Sequence, residues 1–82
     1  MKKYKFHYDS SHGWLEVDIE DIIRLNLQDK ISEYSYKNGN KVFLEEDCDA
    51  PLFINEANIA PEDIGEVYDG DDSPIRKYER WK

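Results

Sequence analysis

Two imidazoles and a carboxylate fall within six residues, His7, Asp9 and His12, in the stretch His7-Tyr8-Asp9-Ser10-Ser11-His12-Gly13-Trp14. Side chains of these types could converge on a zinc-type ion if the chain turned between them. No further ligand follows at a recognisable spacing, and Asp-Ser-Ser-His-Gly is also ordinary turn chemistry, in which Asp and Ser fold back onto nearby amides. Cys48 stands just before an expected helix start, where amide dipoles stabilise a thiolate, but Glu46, Asp47 and Asp49 around it push a thiol pKa up. A cysteine nucleophile needs a base, and only His7 or His12 could supply one from elsewhere in the fold. Asp69, Asp71 and Ser73 alternate like the start of a calcium loop, yet Pro74 and Arg80 stand where that loop needs Gly and a bidentate Glu. No phosphate-cradling glycine loop, serine nucleophile elbow or paired-cysteine motif occurs. No enzyme is expected, no cofactor, and no metal beyond the weak set His7, Asp9 and His12.

Positioning those residues takes a small mixed fold. Tyr4, Phe6 and Tyr8 alternate with Lys3, Lys5 and His7, the period of a half-buried strand. After the turn comes a second strand, with Leu15 and Val17 inward and Trp14, Glu16 and Asp18 outward. The period then changes, setting Ile19, Ile22, Ile23 and Asn26 along one helical face, with Asp18 as N-cap and Asn26 as a left-handed terminator. Tyr34-Ser35-Tyr36 and Val42-Phe43-Leu44 flank an Asn-Gly turn and read as a hairpin. This hairpin feeds a helix from Asp49 to about Asn58, with Asp49 as cap and Pro51 in the first turn. Pro61 to Gly65 reads as one turn or a loop. Two extended pieces follow, 66–68 and 75–81, around the turn Asp69 to Pro74. The expected architecture is a single α+β domain over residues 1–82, about β-β-α-β-β-α-β, with a twisted antiparallel sheet and both helices on one face.

Eighty-two residues, 39% of them apolar, allow one small core built largely from six Tyr, three Phe and two Trp. A single cysteine excludes an internal disulfide. No apolar run is long enough to span a bilayer, and Met1-Lys2-Lys3 is not followed by a signal core, so a cytoplasmic location is expected. The net charge of −8 is unevenly spread: over residues 6 to 75, eighteen acids face four bases, while Lys2, Lys3 and Lys5 and then Arg76, Lys77, Arg80 and Lys82 mark the two ends. If those ends paired as strands, a positive stripe would cross a negative surface. The acids form three sets, around Glu16 to Asp21, Glu45 to Asp49, and Glu62 to Asp72. Carboxylates spaced over a rigid surface can imitate the phosphates of nucleic acid, or simply keep a protein soluble.

The strings Phe6-His7-Tyr8-Asp9 with Ser11 to Val17, Asp29-Lys30-Ile31-Ser32 with Tyr34-Ser35-Tyr36, Leu44 to Ala50, and Gly70 to Arg76 resemble a family of small uncharacterised acidic proteins of bacteriophages and mobile elements. The resemblance implies a context, that of proteins which bind and block a host or defence enzyme, and carries no catalytic residue across. The expected function is a non-enzymatic protein-binding protein, in its sharpest form a DNA mimic or inhibitor of a nucleic-acid-handling enzyme. Glu45, Glu46, Asp47, Asp49, Glu16, Asp69, Asp71 and Asp72, with Trp14 and Trp81 as exposed aromatics, are its expected contact residues, and the chain is expected as a monomer or homodimer. Direct nucleic-acid binding through the basic, aromatic ends is the rival reading, weakened by an overall field that repels a polyanion.

Overall fold

A computed structural model describes residues 3–82; Lys2, counted above with the basic amino end, lies outside them. Strands β1 (Tyr4–Tyr8) and β2 (Gly13–Asp18) precede helix α1 (Ile19–Arg24), and β3 (Tyr36–Asn38) and β4 (Lys41–Glu45) precede helix α2 (Asp49–Ala57). A 3-10 turn at Pro61–Asp63 leads to β5 (Ile64–Tyr68), and a second at Pro74–Lys77 leads to the two-residue β6 (Glu79–Arg80). The six strands form one sheet in the order β5-β1-β2-β4-β3-β6. All neighbours are antiparallel except β1 and β5. That pair is parallel because α2 is a crossover: it returns the chain after β4, so β5 starts at the same end as β1.

Alternation along β2 and β4 gives the sheet two covered faces. Leu15 and Val17 on β2, with Val42 and Leu44 on β4, join Ile22 from α1 and Ala50 and Phe53 from α2 in the main core. Both helices therefore lie on that side, as the periodicity requires. On the other side Trp14 and Phe43 are buried beneath Ile75 of the carboxyl-terminal turn. The segment expected as a strand over 75–81 is thus mainly a 3-10 turn whose Ile75 plugs the second face. Its mixed alternation reflects this, since Ile75 is buried while Lys77 and Glu79 on the same nominal strand face are exposed.

Local signals account for the helix ends. Asn26 and Asn58 both take positive φ, 58° and 56°. Leu27 N–H donates to Ile22 O and Asn26 N–H to Ile23 O, a left-handed terminator closed by the buried pair Leu27 and Ile22. Helix α1 runs between the expected Asp18 and Asn26, but Ile23, placed inward by its spacing, is 56% exposed while Ile22 is buried. Asp18 occupies the N-cap position, but its carboxylate binds Lys41 Nζ at 2.6 Å instead of capping. In the central hairpin the strand begins at Tyr36, later than expected, and the turn is Gly39-Asn40 with positive φ at Gly39 alone. The first and last strands do not pair: β1 is second from one edge and β6 is the other edge. No positive stripe forms in that way.

Candidate functional site

Asp9 organises one end of the molecule. Its side chain is wholly buried, and its two oxygens accept from Ser11 N–H at 3.0 Å, His12 N–H at 2.9 Å and Ser73 N–H at 2.9 Å. Arg76 adds a two-pronged contact, Nε at 2.6 Å and Nη2 at 3.0 Å. That guanidinium, ahead of the amide donors, holds the Asp9 carboxyl far below the usual carboxylate range despite the opposing effect of burial. With its lone pairs engaged, Asp9 is a structural clasp between the first turn and the carboxyl-terminal segment.

The two histidines are not brought to a common centre. His7 Nε2 lies 2.8 Å from Glu16 Oε1, its Nδ1 is 3.6 Å from Asp69 Oδ1, and its ring packs edge-on against Phe43. His12 sits on the turn, its ring tilted against Trp14 with centroids 6.1 Å apart. Among the described residues no group of three or more His, Cys, Asp or Glu side chains is placed to hold a metal ion.

Around Trp14 the surface forms a hollow of about 440 Å³. Its floor and walls are a ladder of rings and guanidinium groups. Trp14 meets Tyr36 edge to face at 6.2 Å, Arg76 lies over Trp14 at 5.6 Å, and Arg80 lies over Tyr36 at 5.3 Å. His12 and the 55% exposed Tyr34 complete the apolar lining, while Glu45, Asp47 and Cys48 form an acidic rim. Glu45 holds that rim in shape by accepting from Asp47 N–H at 3.0 Å and Cys48 N–H at 2.9 Å. Partial desolvation, and then the carboxylates of Glu45, Asp49 and Asp47, push the Cys48 thiol above its ordinary value. The rim is therefore poor in thiolate, and what this site can do is hold a flat or amphipathic group.

Several expected contact residues have other roles. Trp14, expected outside, is 2% exposed, because the carboxyl-terminal turn covers the face it points from. Trp81 is half-buried: its ring packs on the main core and its Nε1 donates to Gln28 O at 3.0 Å. Asp49, expected as a cap and a contact, is 2% exposed and makes no cap bond; Cys48 holds the N-cap position. Its carboxylate instead accepts from Ser32 N–H at 3.0 Å, Ser32 Oγ at 2.7 Å and Ser35 Oγ, stapling the 32–35 loop to α2. Glu16 is half-buried beside His7, and Asp69 accepts from Ser73 Oγ at 2.7 Å. Glu46 is half-buried, and Asp47, Asp71 and Asp72 remain exposed. The sequence reading missed Tyr34, Tyr36, Arg76 and Arg80 as members of one site. Reading 75–81 as a strand does set Arg76 and Arg80 on one face, but nothing local to them signals Trp14 and Tyr36, the rings they cover. Comparison of the chain with protein-family models, with curated proteins and with solved structures finds no match.

Proposed function

We propose that this protein acts by binding rather than by catalysis, and that it engages a basic protein partner through its acidic surface, the ring-lined hollow seating a flat side chain of that partner. The observation carrying this reading is the distribution of charge. From residue 42 to residue 75 the chain has eleven acids and no Lys or Arg. Asp9, Asp21 and Asp49 are buried, whereas Asp47, Glu56, Glu62, Glu66, Asp71 and Asp72 stay exposed. Acids buried in the fold are thus separable from acids on the surface, of which Asp72 lies in the field of Arg76. Exposed carboxylates in excess over nearby bases steer a cationic partner and reject a polyanion. In its sharper form the reading is inhibition, with the acids occupying the basic groove of a nucleic-acid-handling or defence enzyme.

The test is retention of a basic protein from nuclease-treated lysate by the intact chain, repeated with Asp47→Lys, Asp71→Lys and Asp72→Lys combined. The reading expects one specific protein to survive nuclease treatment and to be lost with the charge reversals. Unchanged retention by the reversed variant, or capture of nuclease-sensitive material alone, overturns it.

A further inference from the structure

Strand β5 ends the sheet on the side away from β6, and among the described residues only its β1 edge is paired. Its residues run from half-buried Ile64 to four exposed positions, with Val67 36% and Tyr68 57% exposed. Asp69 N–H donates to Tyr8 O. The two-residue repeat of a parallel ladder then turns Gly65 and Val67 toward β1, and leaves the N–H and C=O groups of Glu66 and Tyr68 on the outer edge. No proline, lysine or bulge interrupts this stretch, the devices that ordinarily blunt an edge.

We propose that the outer edge of β5 receives an extended segment of a partner protein, pairing as an added strand whose cations lie on the helix side of the sheet and whose apolar side chains lie on the other. The inference rests on the binding function proposed above and names a surface and a chemistry for it. Register supplies the side-chain rule. Tyr4, Phe6 and Tyr8 pair with Ile64, Glu66 and Tyr68, so Glu66 lies on the helix side. Lys5 pairs with Gly65, placing a β1 cation on the opposite face, where Glu16 is its cross-strand neighbour. On that face Gly65 leaves open space, for a side chain built there would meet nothing nearer than Tyr4 O at 4.0 Å, and Val67 beside it offers apolar surface. An aliphatic or aromatic residue of the incoming strand fills that gap. Glu62, Asp63, Asp69, Asp71 and Asp72 flank the strand without a base among them. A second copy of this chain would bring the same acids against themselves, so charge selects a basic partner over self-pairing.

The probe is a capped heptapeptide alternating Lys and Val, titrated into the isotopically labelled intact chain at about 150 mM salt, where diffuse attraction is screened. Its control is the same peptide N-methylated along the backbone, which keeps the charges and cannot pair. The expected result is binding at least about tenfold tighter by the unmethylated peptide, with protection of the Glu66 and Tyr68 amides and a loss of about tenfold with Glu66→Lys. Tyr68→Lys, on the same exposed edge, should weaken binding in the same direction. Equal binding of the two peptides, or changes at Tyr34 and Asp47 instead, overturns strand addition and leaves the binding reading standing on its own test. Concentration-dependent dimerisation that protects the same two amides, with no peptide bound, also overturns it.

Discussion

Removing Asp9 should cost more stability than removing its partner Arg76, and the structure says by how much. Asp9→Ala strips an acceptor from three backbone amides and from two nitrogens of Arg76. Buried donors left without partners, plus an ion pair broken from one side, place the loss at about 4 kcal/mol. Arg76→Ala leaves the carboxylate with its three amide donors, and the Arg76 side chain is already 32% exposed, so a clearly smaller loss is expected. For a chain of this size the total is roughly 4–12 kcal/mol, and each kcal/mol moves Tm by about 5 °C. Thermal and urea unfolding followed by circular dichroism should therefore show a Tm fall of about 20 °C for Asp9→Ala and a smaller one for Arg76→Ala. The acid limb adds a second reading. Because the Asp9 pKa is lowered on folding, its contribution is fully present above the unfolded value of about 4 and is lost as pH falls below it. Wild-type stability should drop between about pH 4 and pH 2, and that part of the slope should be missing in Asp9→Ala. A cost for Asp9→Ala below about 1 kcal/mol, or equal costs for the two variants, would refute the clasp.

Three further outcomes follow from single contacts. Gly13→Ala should destabilise by about 2 kcal/mol in urea unfolding, since a Cβ there would lie 2.4 Å and 2.6 Å from Phe6 ring atoms; Phe6→Leu in the same chain should recover part of the loss. Asp49→Ala should cost about 3 kcal/mol, because Ser32 and Ser35 lose their common acceptor beneath α2; a neutral result would return Asp49 to the list of surface contacts. Cys48 is exposed, yet its raised thiol pKa predicts alkylation at pH 7 slower than that of a small free thiol, accelerating as pH passes its ordinary value. Rapid alkylation at neutral pH would contradict the acidic rim.

The helices and hairpins were legible because their signals are local. Alternation at Tyr4, Phe6 and Tyr8, the glycine of the central hairpin turn, and Asn26 at a helix end each act within a few residues of themselves. The carboxyl-terminal segment was not legible in that way. Ile75 was read as one side of a strand because nothing near it in sequence reveals Trp14 and Phe43, the rings it covers. The same long-range contact converts Trp14 from an exposed aromatic into the wall of the hollow and gathers Arg76 and Arg80 beside it.

The sequence by itself determined the α+β class, the sites of turning and the acidity of the chain, properties set by side-chain type and short-range spacing. Tertiary structure decided which acids remain outside. Asp9, Asp49 and Asp72 are alike as letters, but Asp9 and Asp49 face inward donors 64 and 17 residues away while Asp72 faces solvent. Sheet order decided the rest. It parted the two basic ends and, among the described residues, left β5 at the edge of the sheet, because the crossover through α2 delivered that strand beyond β1.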